Sequence, residues 1–190
     1  MVAAFTALFD ACVLYSAPLR DLLLHLALTD LFRARWTDRI HDEWIRNLLA
    51  NRPDLSAAQL QRTRRLMDEN VRDCLVTGYE SLVDGLHLPD SDDRYVLAAA
   101  IRSGAAVIVT YNLDDFPKDY VQTFGVEAQH PDDFISHLMD LSFGLVRTAL
   151  ERQRQSLRNP PMDLGDFLAV LSRQRLPVTV SRLRRHLESN

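Results

Sequence analysis

Lysine is almost absent from this chain: all of its 22 basic residues except Lys118 are arginine. Arginine is the better fork for phosphate, but codon bias yields the same skew, so little rests on it. Cysteine is scarce too. Cys12 and Cys74 are the only two; they make no CxxC pair and have no histidines at zinc-site spacing, which argues against a structural zinc centre or a disulfide framework and for reduced thiols. No uninterrupted apolar run approaches the ~18 residues of a membrane span. Met1 leads straight into a mixed apolar segment, without a basic stretch ahead of a long hydrophobic one. The expectation is a soluble, unexported, cytoplasmic protein with no membrane contact. Internal repeats and low-complexity tracts are missing as well.

What is present suffices for one core. A chain of 190 residues with 47% hydrophobic content is long enough for one domain and short for two. Its net charge of -4 argues against a general nucleic-acid coat, yet the charge is uneven. Residues 1–143 carry 13 basic and 22 acidic side chains, a net of -9, whereas residues 144–190 carry 9 and 4, a net of +5. One domain over 1–143 and a basic C-terminal extension over 144–190 is the expected division.

Along the chain, helical and extended patterns alternate. Ala3 to Phe9 is a short apolar run that ends at Asp10, as a buried strand would if its carboxyl end delivered a carboxylate. Pro18 opens a helix with Leu19, Leu22, Leu23 and Leu26 on one face. Over Asp38 to Asn51 the recurrence of Ile40, Trp44 and Leu48 predicts a second helix, with Glu43 and Asn47 beside its core stripe. Ser56 and Gln59 form a capping box ahead of a polar helix carrying Arg62, Arg64, Arg65 and Arg72. A turn at Gly78 and a short strand or irregular piece over Leu86 to Leu88 follow. PDSDDRYVLAAAIRSG then reads as a helix with an acidic first turn, stopped by Gly104. Ala105 to Thr110 is a doubly buried strand leading into the loop YNLDDFP. Phe124 to Ala128 offers another strand, and Pro131 opens a helix through Phe134, Ile135 and Leu138. Past residue 143 the segments 144–157, 163–174 and 179–188 read as helices, broken at Asn159-Pro160-Pro161 and Leu176-Pro177; Val178 to Val180 is the one strand candidate there. The pattern predicts an α/β fold of three layers, α/β/α, with a mainly parallel central sheet and a helical C-terminal extension.

Ligands of such sheets bind beyond the carboxyl ends of the strands, where strand order reverses. Asp10 and the Asp114-Asp115 pair follow two strand ends, Asp93 starts the helix before the second of these strands, and Glu43 can lean in from the edge of its own stripe. Each has a plainer role: Asp93 complementing a helix dipole or closing a box with Asp90 as N-cap, Asp115 turning a loop, Glu43 facing solvent. Asp10 resists this, because a carboxylate ending a buried strand needs a partner. If the four converge, two carboxylates ~6 Å apart at an effective dielectric of ~20 repel by about 3 kcal/mol, and a cation must sit among them. All-oxygen ligation favours Mg²⁺ or Mn²⁺ over zinc, and the chemistry such ions serve is phosphoryl hydrolysis.

Four local stretches carry a resemblance. FTALFDACVLYSAPLRDLL, HDEWIRNLL, PDSDDRYVLAAAI and VIVTYNLDDFP resemble, in order, the acidic motifs of the PIN domain, the nuclease fold of VapC-type toxins in bacterial toxin-antitoxin pairs. The likeness covers roughly residues 3–140. It implies that Asp10, Glu43, Asp93 and Asp115 bind metal and that Thr110 and Asn112 position water or the metal's ligands. Many family members carry aspartate where Asn112 stands; asparagine there, with Asp115 following, also occurs in the family pattern. Asp90 and Asp92 crowd Asp93, which is preferred for its spacing to the LAAA run. The resemblance further implies an endoribonuclease that uses Mg²⁺ or Mn²⁺, acts on RNA, forms homodimers and is held inactive by an antitoxin protein.

Other readings compete. A dehalogenase-type phosphatase would use Asp10 as nucleophile, but the second aspartate such sites need two residues on is Cys12 here. A PIN-like scaffold that binds RNA or a partner without cutting would lack one of the acids, and all are present. The six histidines give no pair at useful spacing for metal-free catalysis. In the extension, Arg147, Arg154 and Arg158 near one helical face suit a row of phosphates, or else only cover a sheet edge.

Overall fold

The computed structural model describes residues 5–158 and 160–188; Ala3 and Ala4 of the first expected strand, and Asn159 of the expected break, lie outside them. In chain order the elements are β1 (Phe5–Phe9), α1 (Ala11–Tyr15), α2 (Ala17–Ala27), β2 (Phe32–Arg35), α3 (Asp38–Asn51), α4 (Ala57–Asn70), α5 (Glu80–Val83), α6 (Arg94–Ser103), β3 (Val107–Val109), α7 (Lys118–Val121), β4 (Glu127–Gln129), α8 (Pro131–Ser156), α9 (Leu164–Arg173) and α10 (Pro177–Glu188). They divide into two compact units, one of residues 1–15 and 32–130, the other of residues 16–31 and 131–190. The division falls between His130 and Pro131, and α2 groups with the C-terminal helices.

The first unit holds the sheet. Its strand order is β2-β1-β3-β4 and every pairing is parallel. This is the α/β fold the sequence predicts, a parallel sheet with helices, plus C-terminal helices. From β1 the chain moves to one side for β2 and returns to the other for β3, so the order reverses between β1 and β3. Phe9 lies opposite Val109 in that pairing, and the residues that follow, Asp10 and Thr110, are therefore neighbours at the switch point. The central strands are apolar because both faces are covered: Ala7, Leu8, Phe9, Ile108 and Val109 are all fully buried.

β2 was not expected. Its four residues, Phe-Arg-Ala-Arg, alternate buried and more exposed, as on a strand. Past it, Trp36 bridges to Leu75, its N–H donating to Cys74 O and its carbonyl accepting from Val76 N. The segment 86–88 forms no strand, and the fourth strand begins at Glu127, later than Phe124. α3 has the bounds expected, with Thr37 as its cap accepting from Ile40 N at 3.0 Å. The Ser56 and Gln59 capping box is in place, while Arg72 lies past the end of α4.

α3 and α4 are clipped together by a buried polar chain. Trp44 Nε1 donates to His41 Nδ1 at 3.0 Å, so the ring proton of neutral His41 sits on Nε2 and goes to Asp68 Oδ1, 3.0 Å away. Trp36 Nε1 donates to the same oxygen at 2.8 Å. Burial holds the His41 imidazole below its ordinary pKa, although Asp68 pulls the other way.

The second unit is helical. Leu19, Leu22, Leu23 and Leu26 of α2 are fully buried, and the amide of Gln153 on α8 donates to Pro18 O at 2.8 Å. α8 starts at Pro131, as expected, and is interrupted at Ser142, whose φ of -161° and ψ of 92° are not helical, so the expected helices from Pro131 and over 144–157 are its two halves. The strand candidate Val178 to Val180 is the first turn of α10: buried Asp132 accepts from Val178 N and Thr179 N, each at 2.8 Å, which caps the helix from α8. The supposed phosphate row is also corrected. Arg154 is engaged by Glu151 and by Met162 O, and Arg158 lies past the end of α8, bridged to Pro161. Among the described residues no helix is long and apolar enough to cross a membrane.

Candidate active site

Asp10 extends β1 by one rung, its N–H donating to Val109 O at 3.1 Å. It is 3% exposed, and both oxygens are held. Oδ1 accepts from Ala11 N at 2.7 Å; Oδ2 accepts from Thr110 Oγ1 at 2.8 Å and from Cys12 Sγ at 3.2 Å. Burial pushes its pKa up, more than these bonds pull it down, and Glu43 adds to the rise. Thr110 is fully buried and its Oγ1 also accepts from Asn112 N at 3.0 Å. It therefore ties the end of β1 to the loop after β3. The Cys12 thiol is pushed far up by burial and then by Asp10, and Tyr111 N donates to it at 3.3 Å.

Asp93 was expected in the first turn of its helix. A 3-10 turn over Ser91–Asp93 intervenes, and Asp93 occupies the cap position of α6 without making a side-chain capping bond. Capping falls instead to Asp90, whose Oδ1 accepts from Asp92 N at 2.8 Å. The half-buried Asp93 carboxyl is thus spared from local duty, and its pKa is pushed up to about 7, first by burial and then by the charges of Asp10, Asp115, Asp90 and Glu43. Glu43, Asp93 and Asp115 also line one cavity of about 520 Å³, together with Asp90 and Asp92. Asp10 acts on Asp93 through its charge but is not among the residues lining this cavity. Asn112 stands at the cavity's edge, as do Arg39, Arg46 and Asn47 from the face of α3 that bears Glu43.

Among the described residues no three His, Cys, Asp or Glu side chains are close enough to form a ready-made cage for a bare ion. The donor set nevertheless fits one kind of cation. It is all carboxylate, it is concentrated enough to raise Asp93, and a hard ion that keeps part of its water shell needs only a few such oxygens.

Two family models match the chain: one described as PIN domain, over residues 6–114, and one described as VapC50 C-terminal domain, over residues 131–185. The first spans more than half of the sequence. The chain belongs to the PIN-domain family. The PIN-domain match includes Asp10, Glu43, Asp93, Thr110 and Asn112 and stops one residue before Asp115. The second match coincides with the C-terminal part of the helical unit. A curated relative named "Putative ribonuclease VapC50", from Mycobacterium tuberculosis, is 34% identical over 108 residues, which is 57% of this chain and 63% of that protein. No solved structure matches the chain.

Several residues around the cavity were not singled out in the sequence. Tyr95, 1% exposed, donates its hydroxyl to Glu43 Oε2 at 2.7 Å, and the Arg39 guanidinium carbon lies 4.0 Å from the centre of its ring. Arg39 and Arg46 share the Glu43 face through i, i+4 and i+7 spacing, which was legible. Tyr95 carried no mark beyond its place in an apolar stripe.

Proposed function

We propose that this PIN domain is a metal-dependent endoribonuclease of the VapC type, with Asp10, Glu43, Asp93 and Asp115 as the groups that hold Mg²⁺ or Mn²⁺. The observation that carries the reading is the cavity that Glu43, Asp93 and Asp115 line together, in which Asp93 has no capping bond to occupy it and its pKa is pushed up by burial and like charge. A cation held there would supply an acidified water as nucleophile and neutralise charge on the phosphate. The chain's own residues prepare for this. Thr110 fixes the buried Asp10 by a hydroxyl bond, Asn112 and Asp115 close the pocket from the loop after β3, and Tyr95 fixes Glu43.

RNA as substrate is supported by family membership and by the name of the relative, and an antitoxin partner and a homodimer follow from the VapC type. Purified protein is expected to cleave RNA with Mg²⁺ or Mn²⁺ and to stop with EDTA, and Asp10→Ala is expected to lose at least ~100-fold in rate. Equal activity of mutant and wild type, or indifference to EDTA, would refute the reading.

A further inference from the structure

Arg39, Glu43 and Tyr95 form one stack built from two helices. Arg39 and Glu43 stand one turn apart on α3, and Tyr95 comes from the first turn of α6. The Tyr95 hydroxyl makes the one hydrogen bond to Glu43 seen among the described residues. Beside a carboxylate, which only accepts, the phenol O–H is the donor of this 2.7 Å bond. With Oε2 engaged, the carboxylate is oriented and Oε1 is left for the cavity. The other side of the tyrosine serves Arg39. A guanidinium held 4.0 Å over a ring centre still has N–H groups to offer a second partner, and exposed Arg39 also lines the cavity. A cavity lined by Glu43, Asp90, Asp92, Asp93 and Asp115 repels a polyanion, so a fixed cation at its rim has a task there.

We infer that Tyr95 is a positioning residue with two jobs: its hydroxyl orients Glu43 toward the cation, and its ring seats Arg39 to receive a substrate phosphate next to the scissile one. The inference rests on the nuclease reading above, and it separates the two faces of one side chain. Tyr95→Phe keeps the ring and loses the hydroxyl. Arg39→Gln keeps Glu43 and loses the charge.

Mn²⁺ binding to the purified full chain, followed by electron paramagnetic resonance, and the KM for an RNA oligonucleotide at saturating Mn²⁺ test both halves. Tyr95→Phe is expected to bind Mn²⁺ about 10-fold more weakly, as loss of a bond that orients a ligand does, with KM unchanged once the metal is saturating. Arg39→Gln is expected to bind Mn²⁺ as wild type does and to lower the slope of log KM against log salt by about 0.7, one single-strand phosphate contact. Wild-type Mn²⁺ affinity in a folded Tyr95→Phe, or a wild-type salt slope in Arg39→Gln, overturns the inference. Should Tyr95→Phe not fold, the Arg39→Gln slope decides alone. A wild type that binds no Mn²⁺ overturns instead the nuclease reading on which the inference stands.

Discussion

Asp93 is a single side chain set against stability. Its folded pKa, about 7, lies above the ordinary carboxylate value of 3.8, so the fold prefers the neutral acid. The contribution is fully present below pH ~4 and is lost as pH rises through 7. In metal-free protein, Asp93→Asn should therefore raise Tm at pH 8 by about 2–4 °C, the shift worth ~1 kcal/mol in a chain of this size after discount for its solvent-facing half. At pH 4 wild type and variant should coincide, and a calorimetric scan at the two pH values checks it. A second prediction concerns Thr110. Thr110→Val keeps the volume and removes the donor to buried Asp10, leaving a carboxylate oxygen short of a partner; about 1–3 kcal/mol of stability should go, measured by urea unfolding with EDTA present. Part of this arrangement was readable from the residues: Asp10 and Asp115 follow strand ends, Asp93 stands at a helix start and Glu43 flanks a core stripe. Asp90 as a cap was readable; Tyr95 as the partner of Glu43 was not, because which way a buried phenol points is decided by packing between helices.

At the scale of elements, the clip between α3 and α4 is where pH acts most directly. His41 is held below its ordinary value, so its contribution is present above pH ~6.5 and is lost as pH falls through the folded value. Protonation would set an N–H against the Trp44 N–H that it now accepts. The stability lost by His41→Leu should be about 2–3 kcal/mol at pH 8, from the Trp44 and Asp68 groups left unpaired, and smaller at pH 5, by urea unfolding at the two values. Nearby, Ser56→Ala should cost about 1 kcal/mol through loss of the capping box alone. Helices such as α3 and α4 were legible because both their ends and their stripes are written locally. β2 was not: four residues with arginine at alternate positions carry too little apolar pattern to register as a strand, and pairing to β1 makes it one. Val178 to Val180 erred the other way. Its β-branched run favours a strand, but the Asp132 carboxylate, from another helix, caps those N–H groups and decides for helix.

For the whole molecule, the grouping of residues 16–31 with 131–190 changes what truncation can mean. Removing residues 144–190 takes from the helical unit that contains α2 the second half of α8 and all of α9 and α10. Four fully buried leucines of α2 would meet water at a cost of about 6–12 kcal/mol as an upper bound. A chain ending at residue 143 should accordingly bind a hydrophobic dye and lose cooperative thermal unfolding. A soluble, cooperatively unfolding product would show that this helix finds cover elsewhere. The same interleaving sets an order of events during synthesis. The sheet's last strand is finished at Gln129, yet α2, made among the first 27 residues, still waits for partners encoded by the last 60. At about 5–20 residues per second that wait lasts about 3–12 s, during which a leucine-rich helix lies open on the nascent chain as a target for chaperones.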